Sequence, residues 1–224
     1  VALLVGEKRF YEYMKAFGFG RRTEIDLPGE EQGILRHYES WANIDLTRMA
    51  FGHAVAGTAL QVLGVFSTIA NDGCLMKPYV IREIRSESGD LLVKNRPEMV
   101  GQPITAATAR KMRELLFAVT QKGGTGVRAG VEGYEVAGKT GTADKVVNGR
   151  YVQGACVASF AGFFPAGDPE VSMIVVIDEP SGLRTGGAVA CPAFSSIAAQ
   201  TARYLSLSPD GYRIAEHRTS VQGH

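Results

Sequence analysis

An α+β fold, an antiparallel sheet flanked by helices, follows from a change of pattern along the 224 residues. In the helical segments up to Gln121 apolar residues recur at spacings of three and four, and from Tyr134 they alternate. The alternating part holds three segments, 134–147, 150–164 and 171–178, joined by connections too short for a crossover, so neighbours must pair antiparallel. Composition agrees with one substantial domain: 45% of residues are hydrophobic and 21% charged, and 24 Lys and Arg stand against 23 Asp and Glu. A net charge of +1 offers no field that would draw nucleic acid or a membrane surface.

Taken in order, Ala2, Leu3, Phe10, Tyr13, Met14 and Phe17 mark an amphipathic helix over 2–17, stopped by Gly18. A turn-rich extended connection follows to Trp41, which is expected to pack as core or lid. Residues 45–52 read as a short helical turn. Thr58 with Gln61 resembles a capping box for a helix to Asn71, with Leu60, Leu63, Val65, Phe66, Ile69 and Ala70 as its apolar face. Segments 79–85 and 90–94, separated by Ser86-Glu87-Ser88-Gly89, form a peripheral hairpin with charged outward positions. Residues 105–121 are a helix capped by Thr105 or Thr108, stopped by Gly123-Gly124, with Met112, Leu115, Leu116 and Val119 inward. Glycines 124, 126 and 130 then mark a mobile loop.

In the sheet, Asn148-Gly149 is a strong hairpin turn and Ala166-Gly167-Asp168-Pro169 another. Residues 171–178 place Met, Ile and Val at successive positions, as a strand buried on both faces would, and no earlier segment is a convincing neighbour for its free edge. Gly186-Gly187 leads to a last helix, 192–205, able to cover the sheet, and residues 208–224 read as a polar, disordered tail.

Val136-Ala137-Gly138-Lys139-Thr140-Gly141-Thr142-Ala143 carries the chemistry. A cation and two hydroxyls sit among small residues on a strand, which suits a substrate-binding edge. Lys139 offers an anion a point charge, Thr140 offers a donor, and Gly141 with the Thr142 N–H lets a carbonyl approach main chain. The same stretch satisfies the phosphate-loop pattern from Gly133 to Thr140 letter for letter. Context argues against nucleotide hydrolysis: no apolar strand precedes Gly133, and a β-branched pair with an Asn-Gly turn, not a helix, follows Thr140.

Other candidates are weaker. Cys74, Cys156 and Cys191 form neither a C-x-x-C pair nor an even framework and are expected to be small buried hydrophobes. The four histidines show no ligand spacing, so neither a metal site nor a cofactor is expected, and His53 reads as structural. No apolar run approaches the ~18 residues of a membrane span.

Lys139-Thr140-Gly141 followed by Thr142 resembles the K-T-G motif of penicillin-binding proteins and serine β-lactamases. Around it, in order, stand Phe17-Gly18-Phe19-Gly20, Leu27-Pro28-Gly29-Glu30, Asn71-Asp72-Gly73, Pro78, Gly124-Thr125-Gly126, Ser159-Phe160-Ala161-Gly162-Phe163-Phe164-Pro165 and Asp178-Glu179-Pro180. Over residues 1–207 this order is similar to the C-terminal part of the transpeptidase domain of class B penicillin-binding proteins, the division and elongation enzymes that cross-link peptidoglycan. No serine begins an S-x-x-K or S-x-N, the family's other two motifs. The chain therefore resembles a domain incomplete at its N-terminal side, with nucleophile, activating lysine and early strands upstream.

The resemblance implies a serine D,D-transpeptidase as the full protein, with this piece alone inactive. Lys139 and Thr140 would hold the substrate carboxylate, Gly141 would keep the edge clear, and the Thr142 N–H would be an oxyanion donor. Implied partners are D-Ala-D-Ala stem peptides of peptidoglycan, β-lactams, the N-terminal part of the same domain and other cell-wall synthesis proteins. The implied location is the cell envelope, periplasmic or on the outer face of the inner membrane. A different class stays open: a non-catalytic module that binds a peptide by strand addition at the Lys139 edge.

Overall fold

Gly6 divides the first expected helix. α1 (Ala2–Val5) and α2 (Glu7–Ala16) meet where Gly6 has φ 79° and ψ 158°, a conformation essentially closed to other residues. The computed structural model describes residues 1–147 and 150–210. The chain divides into two units at Ala109 and Arg110, within what the sequence suggests is one domain.

In the first unit Phe10 and Tyr11 of α2 pack edge-on against Trp41, at centroid distances of 6.4 and 6.1 Å. Trp41 is buried with Leu46 and Met49 of the short α3 (Asp45–Met49), and its indole N–H donates to the Arg36 carbonyl at 2.9 Å. It is core, with its polar atom satisfied. Asp45 is buried beside it. The Ala42 N–H and the Arg36 guanidinium, the latter at 2.7 Å, hold its carboxyl below the usual carboxylate range.

α4 (Ala59–Ala70) begins with the expected capping box. The Gln61 N–H donates to Thr58 Oγ1 at 3.1 Å, and the Thr58 N–H to Gln61 Oε1 at 3.0 Å. Of the expected apolar face only Ile69 is fully buried; Gln61 and Thr68 complete the buried stripe. Gln61 is buried because its amide does more than cap: Nε2 donates to the carbonyls of Arg21 (2.7 Å) and Gln32 (2.9 Å), tying down the connection that precedes it. Gln61→Ala therefore strips partners from three backbone groups and is expected to cost about 2 kcal/mol. Thr58→Ala, which removes the cap alone, should cost ~1 kcal/mol. Equal losses in thermal unfolding would rule out the tether.

Two strand pairs follow. β1 (Leu75–Met76) and β4 (Met99–Gly101) pair antiparallel, and neither was visible as a strand in the sequence. β2 (Glu83–Arg85) and β3 (Leu91–Lys94) form the expected hairpin, exposed along all of β3. Asp26 accepts from the N–H groups of Val80 and Ile81 at 2.8 Å each, and those donors lower its pKa. Cys74 is half-buried, not enclosed as expected.

α5 (Ala106–Thr120) starts at Thr105, whose hydroxyl accepts from the Thr108 N–H. Its buried positions include Ala109, Leu116 and Thr120, while Leu115, expected inside, is 63% exposed. In the second unit β5 (Ala137–Val147), β6 (Arg150–Phe164) and β7 (Val171–Asp178) form an antiparallel sheet in the order β5-β6-β7. Tyr134 stands outside β5, in an isolated bridge to Val131. The Asn148-Gly149 turn lies outside the described residues.

α6 (Gly186–Tyr204) covers one face of the sheet. Phe194 packs edge-on against Phe160 of β6 at 4.8 Å and against Phe164 at 6.3 Å, all three buried. Met173, Val175 and Ile177 of β7 join this core, while Val176, on the opposite face, is 46% exposed. β7 is thus not buried on both faces as its apolar run suggests. Among the described residues it pairs with β6 alone. Of the expected tail, Asp210 donates its N–H to the Gly133 carbonyl at 3.0 Å, and residues 211–224 lie outside the described residues.

Candidate active site

β5 is an edge strand among the described residues, paired with β6 alone, and Lys139-Thr140-Gly141-Thr142 lies on it. Strand alternation divides the four residues between the two faces. Thr140 is opposite Phe160, whose side chain lies in the α6-covered core, so Thr140 and Thr142 share the α6 face. Lys139 and Gly141, opposite Ala161 and Ser159, take the other face. The cation and the hydroxyls of the motif are therefore held separately.

Both hydroxyls are fixed by elements distant in sequence. Thr140 shares a hydrogen bond of 2.8 Å with Thr125, which places the Gly124 to Gly130 loop beside the edge. That loop carries a 3₁₀ turn over Val127–Ala129, and Gly126 donates back to the Val119 carbonyl at 2.9 Å. Thr142 Oγ1 accepts from the N–H of Gly186, the first residue of α6, at 3.1 Å. Thr185, the formal N-cap, makes no side-chain capping bond, so Thr142 satisfies an end donor of the helix from across the sheet.

This tertiary cap is why α6 begins six residues before the 192 expected from sequence, leaving Pro192 inside the helix. Two glycines make the approach possible. A Cβ at Gly186 would stand 2.3 Å from the Ser159 carbonyl oxygen and 2.5 Å from that of Gly141; one at Gly187 would stand 2.5 Å from that of Thr125.

Lys139 is exposed, and its Nζ donates to the Thr140 carbonyl at 2.9 Å. Gly141 leaves room for the Ser159 hydroxyl, which would lie 2.5 Å from an added Cβ. Farther along β5, Lys145 bridges to Asp178 (2.7 Å) and Glu179 (2.9 Å), and these hydrogen bonds raise its pKa. Buried Cys191 is no competing nucleophile: burial pushes its thiol up to about 11, so it stays protonated at neutral pH. Cys156 is buried too, its thiol directed at the Arg184 carbonyl.

The four expected site residues are contiguous, so β5 alone brings them together. Sequence reasoning did not find Thr142's contact with Gly186 or Thr125's partnership with Thr140. Only the glycine-flanked Thr125 carried a signal, as part of the loop marked by glycines 124, 126 and 130. The arrangement offers a cation and an open strand edge to an anionic, extended peptide end, with the neighbouring hydroxyls rigidly held.

The chain is 36% identical over 203 residues to the probable peptidoglycan D,D-transpeptidase PenA of Neisseria flavescens, covering 90% of this chain and 48% of that protein. It is 38% identical over 207 residues to stage V sporulation protein D of Bacillus subtilis, covering 92% and 32%. The crystal structure of penicillin binding protein 3 from Mycobacterium tuberculosis complexed with aztreonam superposes with a TM-score of 0.86 at 32% identity, covering 93% of this chain and 48% of that one. The chain thus spans about half or less of the length of these relatives. The family model of the penicillin binding protein transpeptidase domain matches residues 1–199, and the chain belongs to that family.

Proposed function

We propose that this chain is the K-T-G-bearing part of a serine-type peptidoglycan D,D-transpeptidase. The observation that carries the reading is the placement of Lys139-Thr140-Gly141-Thr142 on the open edge of β5, with Thr140 braced by Thr125 at 2.8 Å. Membership of the transpeptidase family supports it.

In this reading a serine hydroxyl, supplied from outside these 224 residues, attacks the carbonyl between the two D-alanines of a stem peptide. The new ester bond forms as the peptide C–N bond breaks and D-alanine leaves with a proton. An amine of a neighbouring stem then attacks the ester, forming the cross-link and releasing the serine. Lys139 and Thr140 hold the terminal carboxylate. Gly141 keeps side chains clear of the edge, and the Thr142 N–H supports the developing oxyanion, a donor whose loss typically costs ~10²- to 10³-fold in rate. β-Lactams enter by the same acylation and stay as the acyl-enzyme.

The site is completed by the N-terminal part of the same domain. The protein works at the cell envelope, outside the inner membrane, with other cell-wall synthesis proteins. No helix among the described residues is long and apolar enough to cross a membrane.

Labelling with a fluorescent penicillin tests the proposal. The full-length polypeptide that carries this chain is expected to be labelled covalently, and the 224 residues alone are not. Labelling of the isolated chain would show that its nucleophile lies within it. A full-length protein that stays unlabelled yet binds a D-Ala-D-Ala peptide would replace the enzyme with a peptide-binding module.

A further inference from the structure

Pro192 is the seventh residue of α6, which starts at Gly186. A proline has no N–H, so the carbonyl four residues earlier, that of Ala188, receives no helical hydrogen bond from it. Arg128 fills this gap: its Nη1 donates to the Ala188 carbonyl oxygen at 3.0 Å, from the 3₁₀ turn of the loop that carries Thr125.

We propose that Arg128 is a positioning residue, which replaces the bond Pro192 cannot make and thereby locks the 124–130 loop and the start of α6 against the Lys139-Thr142 edge. Besides its backbone bonds to the end of α5, side-chain hydrogen bonds tie the loop to the edge and to α6. Thr125 bonds Thr140 at 2.8 Å, Arg128 bonds Ala188 at 3.0 Å, and Ser195 Oγ donates to the Gly130 carbonyl at 2.6 Å. The first fixes the loop to the edge, and the other two fix it to α6. Because the N-terminal N–H of α6 is held by Thr142, loop, helix and edge close a ring of contacts that runs through Thr140 and Thr142. Proline inside the helix opens a carbonyl to a donor from outside, and an arginine reaches it with a charge-assisted bond. Arg128 thus serves the edge without touching substrate.

The inference rests on the transpeptidase reading, and a double-mutant cycle separates the two. In the full-length polypeptide, Arg128→Ala is expected to slow acylation by a fluorescent penicillin about fivefold, in keeping with loss of one hydrogen bond from a charged donor. In a Pro192→Ala background residue 192 has its own N–H for Ala188, and Arg128→Ala should then slow acylation less than about twofold. Should Arg128→Ala fold poorly, Arg128→Met keeps the apolar stem while removing the donor, and the same pattern is expected.

Equal slowing in both backgrounds would mean that Arg128 acts on substrate directly, and overturns the proposal. A rate per folded molecule unchanged by Arg128→Ala, with only Tm lowered, overturns it also by making the bond purely structural. If the unmutated protein is never labelled, the transpeptidase reading falls, and the Tm cycle still decides the hydrogen bond: additive shifts for Arg128 and Pro192 would exclude it.

Discussion

Lys139→Ala is expected to lower the rate of acylation by penicillin about 10²-fold in the full-length protein, while leaving thermal unfolding nearly unchanged. The two halves of this expectation have separate causes. Lys139 is exposed on the face of β5 opposite α6, and its Nζ donates to the carbonyl of its own neighbour, Thr140. Removing it leaves no buried group unpaired, so the change in stability should stay within ~0.5 kcal/mol. In the proposed site the same ammonium is a point charge for the substrate carboxylate, beside an edge already built to receive it. Lys139→Arg should recover part of the loss only, because a planar guanidinium cannot occupy the position of a compact ammonium. Acylation at the unmutated rate would remove Lys139 from the site, and a large fall in Tm would show that its role is structural.

The parts of the fold that were legible in the sequence are those where one local signal decides the structure. β6 and β7 begin and end where the alternation does, and the Thr58 and Gln61 box caps α4 as read. What was missed depends on contacts distant in sequence, or on elements too short to show a period. β1 and β4 have two and three residues, fewer than any alternation needs. Gly6 lies inside the helix expected over 2–17, yet it adopts a backbone only glycine can take.

The start of α6 is the clearest case. Local rules favour proline in the first turn and glycine outside the helix, so Pro192 looked like a beginning. Thr142 caps the helix at Gly186 and Arg128 meets the carbonyl that Pro192 frees, and both lie more than forty residues away. The site was legible as letters for a similar reason. Its four residues are consecutive, but what braces them comes from a loop and a helix end that no spacing rule connects.

Gly186→Ala is expected to destabilise the protein by about 3 kcal/mol, against the sign of helix propensity, which favours alanine over glycine by ~1 kcal/mol. The new Cβ would meet the carbonyl oxygens of Ser159 and Gly141 at 2.3 and 2.5 Å, backbone atoms of directly paired residues on β6 and β5. Neither oxygen can rotate away, so the end of α6 must lift from the sheet. Lifting lengthens the 3.1 Å bond from Gly186 to Thr142 and disturbs the packing of Phe194 on Phe160, 4.8 Å apart.

Gly141→Ala is the discriminating control. Its Cβ meets the Ser159 hydroxyl at 2.5 Å, but a hydroxyl can turn aside, so the expected loss is under ~1 kcal/mol. With ~2–4 °C of Tm per kcal/mol, the two variants should differ by several degrees. Acylation should also fall at least about tenfold in Gly186→Ala, because the strand edge loses the helix end that holds Thr142. Equal melting temperatures for the two variants would mean that α6 does not rest on the paired carbonyls of β5 and β6. The bracing of the Lys139-Thr142 edge by the helix would then be lost with that contact.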